Sequence, residues 1–243
     1  MHQTLERVQA EAAPIISGPL AVYLTGISLI LTITTSHITA HILAAVIFAS
    51  LTAHAIGREY ISLIQYPIWF LAPSIILIAI ITPGEAIITV WSISISTAGV
   101  QLAFETGLRS IASLTVLFFL AFTTTIPQLV TALNRLWMPD PIIELLLLSY
   151  RAVQVLMDET LRLSTAATLR GGQTSRYALF RTTKRLAASL LIRSVDRAEQ
   201  VEMAMQARGY HGEFPMHTES NNGYIYSIII IALLVITGFG DLP

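Results

Sequence analysis

Two charged stretches end in the same way: Arg151-Ala-Val-Gln-Val-Leu-Met-Asp-Glu-Thr-Leu-Arg-Leu-Ser-Thr-Ala-Ala-Thr-Leu-Arg-Gly171 and Leu191-Ile-Arg-Ser-Val-Asp-Arg-Ala-Glu-Gln-Val-Glu-Met-Ala-Met-Gln-Ala-Arg-Gly-Tyr210. Each closes a long helical pattern with arginine followed by glycine. In the first, a helix expected over 142–170, Glu144, Arg151, Asp158 and Arg162 fall on one stripe and Leu145, Leu148, Ala152 and Val155 on another, so it is amphipathic and does not span. The second is expected over 175–208. There Ala187, Leu191, Ser194, Ala198, Val201 and Met205 recur at alternating steps of four and three, a seam whose small residues let two helices cross closely.

Around this polar block the chain reads as membrane. With 54% hydrophobic and 12% charged residues and a mean hydropathy of +0.68, it is too apolar for an ordinary soluble domain of 243 residues. The net charge of -1 hides an asymmetry, because eleven of the fourteen Lys and Arg lie between Arg135 and Arg208. Those cations alternate with Asp158, Glu159, Asp196, Glu199 and Glu202 and form no bare basic face, which argues against nucleic acid as a partner. Absence of cysteine removes disulfide, thiolate-metal and thiol-redox chemistry. Glu6 and Glu11 precede any apolar run, so the start does not read as a cleaved signal peptide.

Uncharged spans are expected over 19–35 and 38–56, joined by a tight turn at Ser36-His37, and over 67–82, closed by Pro83-Gly84. Residues 85–99 alternate with period two and read as an extended or re-entrant piece at the outer surface. A fourth span runs over 100–126. It carries Glu105 and Arg109 four apart, a membrane polar pair on one face, open to two readings: an interfacial ion pair or an inward polar lock. A short helix over 128–137 stops at Pro139, and Pro141 starts the next. The last span is 224–239. The fold class is therefore all-α: a polytopic membrane protein with about five transmembrane helices and long cytoplasmic coupling helices. Its parts are an N-terminal membrane domain of four spans (1–126), a cytoplasmic region (127–222) and a final span with a short external tail (223–243). Placing the arginine-rich block inside, as positive residues prefer, puts every loop Lys and Arg inside, with the N-terminus in and the C-terminus out.

An arginine before glycine at a helix end has two readings. As a cap, the cation favours the negative end of the helix dipole and glycine takes the left-handed position. As an anchor, the guanidinium forks onto a carboxylate of a partner, which lysine reproduces poorly. Two occurrences in one cytoplasmic block favour the second. The run from Leu191 to Tyr210 resembles the second Ala-Arg-Gly signature of the transmembrane coupling (T) component of energy-coupling factor transporters, the CbiQ/EcfT family. Thr123-Thr-Thr-Ile-Pro127, Leu145 to Arg151, Asp158-Glu159, Arg162 and Arg170-Gly171 follow the family's order, with Leu169 where the family usually has alanine. The resemblance is specific over 123–210 and general across the spans.

That resemblance implies a non-catalytic membrane subunit of an ATP-driven importer, multi-pass in a prokaryotic plasma or inner membrane. Its implied partners are two ATP-binding-cassette ATPase subunits, which bind the ATP and Mg, and a substrate-binding (S) membrane subunit, with a small accessory membrane subunit in the metal branch. No cofactor is implied for this chain, and no G-x-x-x-x-G-K-[ST] occurs in it. Arg170, Gly171, Ala207, Arg208 and Gly209 would dock the ATPases; Asp158, Arg162, Arg193, Arg197 and Glu199 would support the coupling helices. Length and the Arg-Ser-x-x-Arg-Ala-Glu run look closest to the cobalt or nickel branch, with vitamin uptake, or a stand-alone secondary carrier or channel, as the alternatives. His37 and His41 are four apart and His54 lies beyond them, but without a nearby acidic or cysteine ligand they read as packing or interfacial histidines and not as a metal site. His211 and His217 carry no pattern. No glycine-framed serine nucleophile or paired intramembrane aspartates suggest an enzyme.

Overall fold

The computed structural model describes residues 15–35, 37–57, 59–83, 86–90, 93–172, 174–210 and 222–239. In chain order the elements are α1 (Pro19–Thr34), α2 (Ile38–Ile56), α3 (Glu59–Ile81), β1 (Ala86–Val90), β2 (Ile93–Ser96), α4 (Thr97–Thr123), α5 (Ile126–Arg135), α6 (Asp140–Leu169), α7 (Arg176–Ala207) and α8 (Tyr224–Phe239). The chain forms two compact units, Met1–Ala132 with Thr218–Pro243, and Leu133–His217. The N-terminal 14 residues, Arg58, His211 and His217, on which sequence expectations also rest, lie outside the described residues.

The first unit is built around α4, which packs against α1, α2 and α3, while α8 lies against α1 and α2. In a lipid solvent apolar side chains gain little by leaving the surroundings, so close van der Waals packing through small residues holds helices together. The contacts have that character. Ala21, Ala44 and Ala112 are fully buried in the shared core, with Phe48 and Phe119 edge to face, ring centroids 5.6 Å apart. Against α3 the small residues are glycines: a Cβ on Gly99 would stand 2.7 Å from the Ala79 carbonyl oxygen, and one on Gly107 would stand 2.9 Å from Ile75 Cδ1. Several hydroxyls in these spans close on their own helices. Thr25, Thr32, Thr52 and Thr123 each donate to the carbonyl four residues earlier, at 2.9, 2.7, 2.6 and 2.5 Å, which keeps these four hydroxyls from facing hydrocarbon unpaired.

Contacts at the helix ends give the unit two distinct ends. At one, Ser17 N donates to Asn222 O at 3.4 Å, and Tyr23 Oη donates to Ala132 O at 2.7 Å. At the other, a Cβ on Gly238 would lie 2.8 Å from Thr35 Oγ1. The helices α1 and α8 therefore run parallel. By length and composition α2, α4 and Leu63–Ile81 of α3 are long and apolar enough to cross a membrane, and the two other apolar helices, α1 and α8, are shorter. At 1.5 Å per residue their 16 residues each reach roughly 24 Å.

Three expectations shift. The third helix begins at Glu59, eight residues before Pro67, and holds Pro67 and Pro73 in its interior; each removes one ladder N–H without ending the helix, because the apolar run continues through it. Residues 85–99 contain a β-hairpin, with β1 and β2 antiparallel and a bulge between Ala86 and Ile88. Its second strand ends at Ser96, whose Oγ accepts from Gly99 N and donates to Thr82 O, both at 2.9 Å. That one hydroxyl caps α4 and ties its start to the end of α3. The short fifth helix starts at Ile126 and ends at Arg135, and two residues later Trp137 has φ 65, the only positive value outside glycine among the described residues.

Replacing Gly99 by alanine puts a methyl into the Ala79 carbonyl, so α3 and α4 must separate. Thermal unfolding in detergent should show a loss of about 1–3 kcal/mol. Gly26→Ala, where nothing lies within 4 Å, is the control and should lose none; equal behaviour of the two variants would contradict the packing.

Candidate functional site

Pro139 precedes α6 with ψ 135, and Pro141 occupies its first turn, where a missing N–H costs nothing. Ser175 caps α7, its Oγ accepting from Ala178 N at 3.1 Å. The two helices then end identically. At the end of α6, Gly171 N donates to Thr168 O at 3.0 Å and Gly172 N to Ala167 O at 2.8 Å. At the end of α7, Gly209 N donates to Gln206 O at 3.0 Å and Tyr210 N to Met205 O at 3.1 Å. Both are the double backbone closure of a Schellman cap, which needs a left-handed residue just past the helix. Gly171 and Gly209 supply it, with φ 74 and 66.

Arg170 and Arg208 occupy the same place in these caps, the last residue before the left-handed one, with φ/ψ of -90/12 and -91/6. The caps are closed by backbone alone, so neither guanidinium is needed for them. Both arginines are exposed, and neither side chain has a hydrogen bond or ion pair among the described residues. Each is a planar five-donor cation held at a helix end and open to an oxyanion acceptor. Ala207 is the final helical residue of α7, and its counterpart on α6, Leu169, is 84% exposed.

Among the described residues, two ties join α6 and its C-terminal cap to α7. Thr182 Oγ1 donates to Gly172 O at 3.0 Å, and a Cβ on Gly172 would stand 2.9 Å from that hydroxyl. Further along, Arg193 pairs with Glu159. Asp158, Arg162, Arg197 and Glu199 are exposed and make no ion pair among the described residues. Glu159, Gly172 and Thr182 were not among the expected site residues; one step along a helix turns a side chain by about 100°, so Glu159 and not its neighbour Asp158 faces Arg193. The expected seam is corrected as well. Of its six residues, Ser194 and Met205 are partly covered, while Ala187, Leu191, Ala198 and Val201 are exposed; the other partly covered positions are Ala178, Thr182, Leu186, Ser189 and Leu190. No residue of α7 is buried, and Phe180, Leu191, Ile192 and Met203 are each more than 60% exposed.

In the membrane unit Glu105 and Arg109 do not pair directly. Glu105 Oε1 accepts from Gln101 Nε2 at 3.0 Å, and Arg109 Nη2 donates to Thr35 O at 3.4 Å. The carbonyl past the end of α1 takes the guanidinium that the spacing had assigned to Glu105. His41 is buried, its Nδ1 without a hydrogen-bond partner, while His37 and His54 are exposed. No three His, Cys, Asp or Glu side chains among the described residues are grouped to hold a metal ion.

A family model described as the cobalt transport protein CbiQ matches residues 20–220. A putative fused cobalt transport protein CbiMQ of Methanocorpusculum labreanum is 29% identical over 206 residues, 82% of this chain and 34% of that protein. The cobalt transport protein CbiQ of Rhodobacter capsulatus is 32% identical over 146 residues, 58% of this chain and 60% of its own length. The energy-coupling factor transporter transmembrane protein EcfT of Brevibacillus brevis is 29% identical over 170 residues, 65% of this chain and 64% of that one. The chain spans about half the length of the curated relatives it first matches, 34% to 60%.

A Cβ at Gly209 would meet nothing within 4 Å, so alanine there costs only the left-handed backbone, about 1 kcal/mol. Amide hydrogen exchange should accelerate severalfold at Tyr210 and in the last turn of α7 for Gly209→Ala, and much less for Gly209→Asn. Equal exchange in both variants would contradict the cap.

Proposed function

The chain belongs to the CbiQ cobalt transport protein family, and on that premise we propose that it is the T component of an energy-coupling factor importer. In this reading it couples ATP hydrolysis by two partner ATPases to movement of a substrate-binding membrane subunit. The observation that carries it is the identity of the two caps: one backbone conformation, used twice, presents an exposed guanidinium at the end of each long polar helix. Two equal anchors suit two equal ATPase subunits, each offering a carboxylate-lined groove. The uncovered apolar side chains of α7 are consistent with a helix that gains its cover from partners.

The cargo favoured by the relatives' names is cobalt. A vitamin cargo would leave this chain unchanged, because specificity would reside in the membrane partner. Orientation follows the charge: the arginine-rich block follows Ala132 in the chain, and Ala132 is bonded to Tyr23 near the α1 start, where Ser17 bonds Asn222, so we place this end inside and the Thr35–Gly238 end outside.

Charge reversal tests the docking. Arg208→Glu should lower ATPase retention at least tenfold and abolish uptake while the protein still inserts; reversing one partner of a desolvated charge pair costs roughly 2–5 kcal/mol. Arg170→Glu should behave alike, and the double variant should retain no ATPase. Normal assembly of the double variant would overturn the proposal.

A further inference from the structure

Three helices in succession end with a residue in the left-handed conformation, and only two of them place glycine there. After α5 the position is taken by Trp137, whose φ is 65. Its N–H donates to Asn134 O at 3.2 Å, the same bond that Gly171 and Gly209 make to the residue three back. A bulky residue in this region is strained, and such strain persists where something holds the residue in place. Nothing among the described residues does so: Trp137 is 95% exposed and Leu136 before it 60%. The apolar side of α5 is already engaged by the protein, with Val130 and Ala132 buried, so the two bulky side chains stand clear of that contact.

Position says what covers them. The carbonyl of Ala132 accepts from Tyr23 in the second turn of α1, which places this part of α5 level with the start of an apolar helix. Trp137 follows five residues later. Its neighbour Arg135, in the last turn of α5, is exposed. An indole beside a leucine, with an arginine next to them, only three to five residues along the chain from a carbonyl bonded to an apolar helix, matches the interfacial layer of a bilayer, where tryptophan rings sit at headgroup level and a guanidinium meets lipid phosphate.

We propose that Leu136 and Trp137 form a membrane-interface anchor, seated between lipid headgroups with Arg135 on an anionic phosphate, and that this contact holds the left-handed turn between α5 and α6. The anchor is independent of arginine docking, since it needs only the bilayer. Glycine at 137 would turn the chain as easily but would leave the elbow unattached.

The chain has three tryptophans, so W69F/W91F leaves Trp137 as the only tryptophan, excited selectively at the red edge beyond tyrosine absorption. This full-length variant would be reconstituted without partners in phosphatidylcholine–phosphatidylglycerol vesicles carrying bromine high on the acyl chains. Bromolipid should quench emission by half or more while aqueous iodide quenches little, and Arg135→Gln should weaken quenching more in phosphatidylglycerol-rich vesicles. Iodide quenching without bromolipid quenching would overturn the anchor and leave a protein partner as the cover; insensitivity to both would mean that the chain buries the ring itself, which also overturns it. Should the double background not fold, the wild-type chain's lack of cysteine lets Trp137→Cys carry a nitroxide. Greater collision with oxygen than with a water-soluble nickel chelate is then expected, and the reverse order would overturn the proposal.

Discussion

A chain leaving an α-helix must find acceptors and donors for its last turn, and the tightest backbone solution needs one residue with positive φ. Glycine meets that requirement without strain. Once glycine closes the cap, the preceding residue is fixed in backbone but free in side chain, at the negative end of the helix dipole where a cation is favoured. The ends of α6 and α7 both work this way. Arg170 and Arg208 are thus held by the same geometry without being consumed by it, and the candidate site depends on that separation.

The membrane unit and the polar unit are held by different means. In the first, alanine and glycine let helices approach, and threonine hydroxyls close on their own helix, so a lipid-facing bundle needs few polar contacts between helices. In the second, among the described residues, α6 and α7 share one hydroxyl bond and one ion pair, and α7 buries none of its own side chains. The exposed Glu159–Arg193 pair contributes little by itself, in the range of about 0–1 kcal/mol. A helix pair so lightly braced is suited to gaining order from what docks on it, as the proposed coupling role requires.

Much of this architecture could be read from residue order. The apolar run over 38–56 coincides with α2 and that over 224–239 with α8, because uninterrupted hydrophobic length is a local property. Arg-Gly at 170–171 and 208–209 announced both caps for the same reason. What escaped depends on distant parts of the chain. Pro67 looked like a helix start, yet the helix runs through it. Helical spacing put Glu105 beside Arg109, while tertiary structure brought the Thr35 carbonyl to the guanidinium instead. The seam on α7 held only at Ser194 and Met205; Thr182 and Leu186, outside it, are partly covered as well, and Thr182 bonds Gly172. Glu159 lay one position from Asp158, a distinction that only a neighbouring helix makes.

Native mass spectrometry of the wild-type protein, gently solubilised from its own membrane, tests the central claim most directly. An assembly holding one copy of this chain, two P-loop ATPase subunits and a small membrane partner is expected. Recovery of the chain alone, under conditions that keep other ATP-driven importers intact, would contradict the coupling role and reduce the two arginine ends to plain helix caps.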